Sequence, residues 1–334
     1  MKERETQPGA APLPAATLAR LLTALRRETD GRRPARVRFR GGHSNDVTEL
    51  RFADGRALIV KRGRYPWAAA RFATAERAAR LLGTQRELLA PRPLALPPEL
   101  RAEPLQAYWR LDLPTLERLW PRLTAAQRRS ALRSWGRLTR ALHGVQAPAF
   151  AALPAGPPPP GGLQEWLRVE LAQRLLPAVQ DNWPEGDAPL RMLLARAPEA
   201  ARRAGTRSPV LVHNDLHFGN VLCSVRGDEI RCVGLLDLEA ALGGLPEMDA
   251  ASAAVLHGPL FGQALPGGWL RAWRTGYGAP LDNWLLGFFR AYHLANQGFY
   301  SAFVGHDVHA RSVLRALRRV VRSLAPPSAA AVAR

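Results

Sequence analysis

The stretch His213-Asn214-Asp215-Leu216-His217-Phe218-Gly219-Asn220, followed by Leu235-Leu236-Asp237-Leu238-Glu239, constrains this chain more than any other part of it. Apolar runs border both segments: 210–212 before the first, 221–222 after it, and 233–236 leading into Asp237. Short apolar runs of this kind read as buried strands. The polar residues therefore fall on strand-flanked loops, where a rigid scaffold displays its chemistry. Asp215, Asn220 and Asp237 offer hard oxygen donors, the kind a divalent cation such as Mg²⁺ prefers. His213 and His217 read as residues that hold the loop through hydrogen bonds.

Composition adds a second constraint. The chain has 47 Lys plus Arg, yet only Lys2 and Lys61 are lysine. Lys61 ends the run Ala57-Leu58-Ile59-Val60-Lys61, which is entered through Asp54-Gly55, a strong hairpin signal, from a strand over 47–52. An ammonium is a compact point charge and a guanidinium a planar fork, so a site built on one phosphate oxygen and one carboxylate does not take Arg freely. Pro66 and Gly83 bracket a helix over 67–82, and the spacing Phe72, Glu76, Ala79 puts Glu76 on its apolar side. A carboxylate facing a core needs a cation, so Glu76 is the expected partner of Lys61. The alternative is a surface Glu76 paired with Arg80 one turn on.

Taken together, these residues resemble those of the aminoglycoside phosphotransferase and choline kinase-like superfamily, small-molecule kinases that share the protein-kinase fold. Residues 213–220 resemble its H-G-D-L-H-x-G-N motif, Asp237 with Glu239 its I-D-x-E segment, and Gly41-Gly42-His43-Ser44-Asn45 its nucleotide loop. Gly244-Leu245-Pro246-Glu247-Met248-Asp249 is similar to its G-D-P-x-x-D stretch. Two departures stand out: Asn214 replaces the usual Gly, and Leu245 replaces an Asp. The resemblance implies an α+β, two-lobed protein-kinase-like fold, with a small β-rich N-lobe and a larger, mainly helical C-lobe. It also implies roles. Asp215 would accept the proton of a substrate hydroxyl, Asn220 and Asp237 would hold Mg²⁺, and Lys61, aimed by Glu76, would meet the phosphates of ATP or GTP. Gly41, Gly42, Ser44 and Asn45 would cover those phosphates, and Glu239 would support the metal.

The rest of the chain divides accordingly. Residues 1–30 read as an extension and an amphipathic helix, 31–113 as the nucleotide-binding lobe and its hinge, 114–324 as the catalytic and substrate-binding lobe, and 325–334 as a tail. Within 114–324, residues 154–162 are a Pro/Gly-rich loop. No apolar run approaches the length needed to span a bilayer, and the first thirty residues lack a signal-peptide core. A cytoplasmic protein is expected. Cys223 and Cys232 fall opposite each other if Gly227-Asp228 is a two-residue turn, and a reducing compartment keeps them as free thiols.

A net charge of +19 raises the question of a polyanionic partner. Its distribution answers against one. The segment 208–249 is acidic, and Arg311, Arg315, Arg318 and Arg322 form a stripe opposite Val313, Leu317, Val320 and Leu324 with no aromatic residue interleaved. That pattern reads as a solvated helix face, with no specific nucleic acid, no membrane and a monomer favoured. Trp166, Glu170, Asp181 and Trp183, with Tyr292, His293, Asn296, Gln297 and Tyr300, are the candidate acceptor walls. Aromatic and acidic residues together suit a hydroxylated, cationic small molecule such as an amino sugar. Competing readings are a protein kinase, which lacks here its D-F-G and A-P-E segments, and a non-catalytic nucleotide-binding scaffold. A P-loop ATPase is excluded because no G-x-x-x-x-G-K-[ST] occurs.

Overall fold

The structure is a computed structural model that describes residues 11–41, 44–83, 85, 88–97, 100, 103–153, 161–227, 229–257 and 265–324. Contacts divide the chain into two units, Met1–Leu113 with Leu235–Ala240, and Pro114–Gly234 with Ala241–Arg334. The short stretch Leu235–Ala240 thus belongs with the first unit although both its flanks belong to the second.

In the first unit, helix α1 (Ala15–Ala24) precedes strands β1 (Arg36–Phe39), β2 (Asn45–Arg51) and β3 (Ala57–Gly63). Helix α2 (Ala68–Leu82) and strand β4 (Leu105–Trp109) complete it. The sheet is antiparallel in the order β1-β2-β3-β4. The turn between β2 and β3 carries Gly55 at φ 85, a left-handed conformation that glycine enters without steric cost. It sets a register in which Val47 faces Lys61 and Leu50 faces Leu58. Side chains alternate across a strand, so Leu58 and Val60 pack with Leu21, Leu25, Leu50 and Ala107 on one side of the sheet. Each such fully buried Leu or Val contributes roughly 1.5–3 kcal/mol. Lys61 is left on the other side. There Gln106, opposite Lys61 in β4, donates from Nε2 to the Phe72 carbonyl at 3.3 Å, and α2 covers this face.

The second unit is mainly helical. Its long helices are α3 (Ala125–His143), α4 (Glu247–Leu256), α5 (Trp269–Tyr277), α6 (Asn283–Phe303) and α7 (Asp307–Ser323). The start of α3 is fixed by a capping box in which Thr124 and Gln127 each accept from the other's backbone, satisfying two amides that the helix leaves open. Two of these helices touch through their backbones. A Cβ on Gly136 would lie 2.1 Å from the Trp273 carbonyl oxygen, and one on Gly276 only 1.8 Å from that of Arg133. Only glycine permits this crossing of α3 and α5. Strands β5 (Ala151–Ala152), β6 (Val210–Val212) and β9 (Leu242–Gly244) form a small sheet in the order β5-β9-β6.

Strands β7 (Val221–Arg226) and β8 (Glu229–Leu235) make a hairpin, and Gly227 at its turn has φ 57. Asp228 lies outside the described residues. The Cys223 and Cys232 sulfurs are 3.9 Å apart, buried and free. In α7, Val313, Leu317 and Val321 are buried while Arg311, Arg315, Arg318 and Arg322 are exposed, the solvated face expected of that stripe. Among the described residues no helix is long and apolar enough to cross a membrane.

Candidate functional site

The chemistry of the first unit centres on one ammonium. Lys61 donates to Glu239 Oε1 at 2.6 Å and to Asp237 Oδ1 at 3.0 Å, with only 7% of the residue exposed. Asn45, at the start of β2, donates from Nδ2 to both Glu239 oxygens at 3.1 and 3.0 Å. A buried carboxylate is tolerable only when its lone pairs are met, and Glu239 is met by an ammonium and an amide. Asp237 has φ 58, a strained conformation for a non-glycine residue, and its side chain is 37% exposed.

Burial acts to lower the Lys61 pKa, but Asp237, Tyr108 and Glu239 outweigh it and hold the group well above the ordinary lysine value. The carboxyl of Glu239 is itself raised, by burial first and then by Asp237, against the pull of Lys61 and Asn45. An undivided ion pair would lower the acid; here one ammonium serves two carboxylates. Lys61 is the group that is firmly charged.

Glu76 does not fill the role expected of it. It is exposed on α2, whose buried stripe runs through Phe72, Ala75, Ala78, Ala79 and Leu82. The turn Leu238–Ala240 packs on α2 and brings Glu239 to the lysine instead. The partner therefore comes from the D-x-E segment, and Glu76 is a surface residue. Of the expected nucleotide loop, Gly41 has φ 63 and the Ser44 carbonyl accepts from the Arg64 amide at 3.3 Å. Gly42 and His43 lie outside the described residues.

In the second unit, β6 delivers the chain into residues 213–217, and a single turn of 3₁₀-helix, Phe218–Asn220, returns it to β7. Asn214 sits at φ 63. This explains the departure noted in the sequence: the position needs a left-handed residue, and Asn is the commonest substitute for Gly there. Asn220 Nδ2 donates to the Asp215 carbonyl at 3.0 Å and approaches its carboxylate Oδ2 at 3.4 Å. The amide oxygen of Asn220 is thereby turned the other way. His213 Nδ1 accepts from the Asp215 amide at 3.3 Å, and His217 Nδ1 from the Gly219 amide at 3.1 Å. Both histidines hold the loop.

Asp249, which closes the stretch similar to G-D-P-x-x-D, and two residues not singled out from sequence complete this half. Asp249, on α4 and fully buried, accepts from the His213 and Asn214 amides at 2.9 and 2.7 Å and lies 3.0 Å from His143 Nε2. Burial works against its ionisation, but hydrogen bonds from His143 and the His213 amide hold its carboxyl below the usual range. His143 Nδ1 in turn meets the Tyr277 hydroxyl at 2.9 Å. The sequence signal for Asp249 was its place at the end of the stretch Gly244-Leu245-Pro246-Glu247-Met248-Asp249. His143 and Tyr277 end ordinary amphipathic helices and carry none.

The candidate acceptor residues separate into packing and polar groups. Trp183 is core, held against Gly186 and Gly298, and Asp181 is exposed. Trp166 stands edge-on to Tyr292 at 6.2 Å. Glu170, in a π-helical segment Val169–Leu175, accepts from the Tyr292 hydroxyl at 2.6 Å and from Arg174 Nε at 2.7 Å, while Arg174 Nη2 also donates to Asn296 at 2.9 Å. π-helical turns cluster at functional sites. His293 Nε2 lies 3.0 Å from the Met248 carbonyl, and burial lowers its pKa to about 4 against the pull of Asp249 and Asp215. The Tyr300 hydroxyl is buried without a partner among the described residues.

A family model described as the phosphotransferase enzyme family matches residues 36–294. The chain belongs to that family. Several solved structures share its fold. APH(2")-IIa in its gentamicin complex is 12% identical, over 92% of this chain and 96% of that one, with a TM-score of 0.67. The same enzyme in a streptomycin–ATP ternary complex gives 12%, 91%, 97% and 0.61. Macrolide 2'-phosphotransferase MphH from Brachybacterium faecium gives 21%, 91%, 98% and 0.57. At these identities the likeness is one of fold. No curated protein matches the chain. As a member of the phosphotransferase enzyme family, the chain has the α+β, two-lobed kinase-like fold, with a β-sheet N-terminal region and a helical C-terminal region.

Proposed function

We propose that this phosphotransferase moves the γ-phosphate of ATP or GTP to a hydroxyl of a small molecule. The observation that carries the reading is the buried contact of Lys61 with Asp237 and Glu239, a charged ammonium presented on a sheet by the D-x-E segment. Lys61 would bind the donor's phosphates, as the equivalent ammonium does in kinase-type enzymes. The backbone near Gly41, Gly42, Ser44 and Asn45 would lie over them. Asp215 would orient the acceptor hydroxyl and take its proton. The acceptor oxygen then bonds to the γ-phosphorus as the bond to the bridging oxygen breaks, and the nucleoside diphosphate leaves with that electron pair. No covalent enzyme intermediate is required, so positioning and charge neutralisation do the work.

The donor set suits Mg²⁺. One ammonium against two carboxylates leaves a negative charge, and Asn220 directs an amide oxygen away from Asp215. Mg²⁺ needs only one or two protein oxygens when phosphate and water supply the rest, so the lack of a cluster of three acidic, His or Cys ligands among the described residues is compatible with it. Asn220 and Asp237 would hold the ion, which neutralises phosphate charge when bound.

For the acceptor, the relatives' gentamicin and streptomycin complexes point to hydroxylated molecules. A cationic acceptor here would compete with Arg174 and Tyr292 for Glu170. We place the enzyme in the cytoplasm, where nucleotide is available and the free thiols of Cys223 and Cys232 persist. The test is transfer of label from γ-labelled ATP or GTP to a panel of hydroxylated small molecules. Label recovered in an acceptor supports the reading. Label recovered only in a casein-like protein, or nucleotide bound with no transfer, would overturn it in favour of a protein kinase or a scaffold.

A further inference from the structure

We infer that the first unit carries a second phosphate subsite on Arg36 and Arg38, which suits a donor-site nucleotide phosphorylated on its ribose as well as at its 5′ end. The inference rests on the reading that Lys61 meets the 5′ phosphates of a nucleotide. Side chains on one face of a sheet follow the register from strand to strand, so the face that bears Lys61 can be read row by row. The first row is Arg40, Val47, Lys61 and Gln106. The second is Arg38, Glu49, Ile59 and Tyr108, and the third is Arg36, Arg51, Ala57 and Arg110. Side-chain contacts agree with these rows, because Arg40, Arg51 and Arg110 all reach the Glu49 carboxylate.

The columns differ in chemistry. Val47, Ile59, Ala57 and the Tyr108 ring make an apolar platform in the middle of the face, and the Lys61 ammonium stands 6.0 Å from the centre of that ring. A flat, mostly apolar base suits such a surface. The edge strand β1 is different, for both residues that it turns to this face are arginine. The acid within the rows is Glu49, buried and shared by Arg40, Arg51 and Arg110, with Arg51 at 2.9 Å and Arg110 at 3.4 Å. Arg36 and Arg38 are exposed and have no carboxylate partner among the described residues. Two residues of strand advance the chain by about 7 Å, so Arg38 and Arg36 lie about 7 and 14 Å from Arg40, which adjoins Gly41 of the expected nucleotide loop. A nucleotide with its 5′ phosphates in the first row and its base on the platform has its sugar between them, alongside Arg38.

The planar fork of a guanidinium matches the oxygens of a phosphate, which it can hold with two parallel hydrogen bonds. Charge on an edge strand also guards against pairing with another chain, and Lys or Glu serves that purpose as well. Binding separates the two roles. A nucleotide with two phosphates at its 5′ end and further phosphate on its ribose would fill the donor site with no γ-phosphate to give. It would therefore inhibit transfer in competition with ATP or GTP.

Equilibrium dialysis of the full chain with Mg²⁺ at low salt compares guanosine 3′,5′-bis(diphosphate) with GDP, and adenosine 3′,5′-bisphosphate with AMP. Two exposed charge contacts together are worth about 2- to 30-fold, so the ribose-phosphorylated member of a pair should bind tighter by that factor. Added salt should shrink the ratio. In the double variant Arg36→Gln, Arg38→Gln the ratio should fall to near unity. The double variant Arg27→Gln, Arg80→Gln, which removes the same charge at two other exposed positions, should keep it. Equal affinity within both pairs in the wild type would overturn the subsite and leave Arg36 and Arg38 as edge protection, with the phosphotransfer reading intact. Equal loss in the two double variants would trace the effect to net charge and overturn it likewise. A single-stranded oligonucleotide that binds with the same dependence on Arg36 and Arg38 would make β1 a nucleic-acid surface and overturn it too. No binding of ATP, GTP or any of the four nucleotides would remove the nucleotide reading of Lys61 and this inference together.

Discussion

The Lys61 ammonium lies 2.6 Å from the Glu239 carboxylate, a residue 178 positions further along the chain. Four-residue spacing on α2 had pointed instead to Glu76, which is exposed. Long-range pairing thus takes the place of a local one.

This pairing separates the two acids experimentally. Glu239→Ala would leave Lys61 with Asp237 alone and strip Asn45 of its acceptor. Loss of such a supporting group should lower kcat/KM by about 10–100-fold. Glu76→Ala, a surface change, should alter stability by no more than about 0.5 kcal/mol and activity hardly at all. Steady-state kinetics on both variants checks the assignment, and a larger loss in Glu76→Ala would reverse it.

Acid should destabilise the fold through two buried imidazoles. Burial, helped by the neighbouring His217, takes His257 down to about 3, and burial takes His293 to about 4. Both lie below the unfolded value of about 6.5, so between these limits the unfolded chain binds more protons. Stability is then fully present above pH 6.5 and declines as pH falls toward 4, with a limiting slope of about 1.4 kcal/mol per pH unit for each group. Melting temperature measured from pH 7.5 to 4.5 should fall accordingly. His257→Gln can keep an acceptor for the Phe218 amide, which now donates to Nε2 at 3.0 Å, and should make the decline shallower. A flat profile in the wild type would contradict this.

The acceptor preference can be moved by one residue. Arg174 occupies Glu170, and replacing it by Gln would return a negative charge to that segment. A partly exposed pair of this kind is worth about 0.2–1 kcal/mol, so kcat/KM for cationic acceptors should rise by only about 1.5- to 5-fold relative to neutral ones. Competition between a neutral and an ammonium-bearing acceptor measures it. An unchanged ratio would place Glu170 away from the acceptor.

Much of this was legible in the sequence because it is local. The apolar run 57–60, the Asp54-Gly55 turn and the apolar runs around 213–220 each depend on a few neighbouring residues, and the structure places β3, β6, β7 and β8 where those patterns put them. Asn214 even announced its left-handed backbone by standing where Gly is usual. What sequence could not reveal is which distant residue reaches a given charge. Helix spacing offered Glu76 as the partner of Lys61, and the return of Leu235–Ala240 to the first unit brings Glu239 there instead. The same holds for His143 and Tyr277, which meet on two helices that Gly136 and Gly276 allow to touch through their backbones.

Phosphoryl transfer by wild type and Asp215→Asn, followed with γ-labelled nucleotide and a hydroxylated acceptor, tests the central claim most directly. General-base assistance is worth about 10²–10⁴-fold, so the variant should lose activity by that factor with nucleotide Kd within about twofold of wild type. Undiminished transfer by Asp215→Asn would contradict the account.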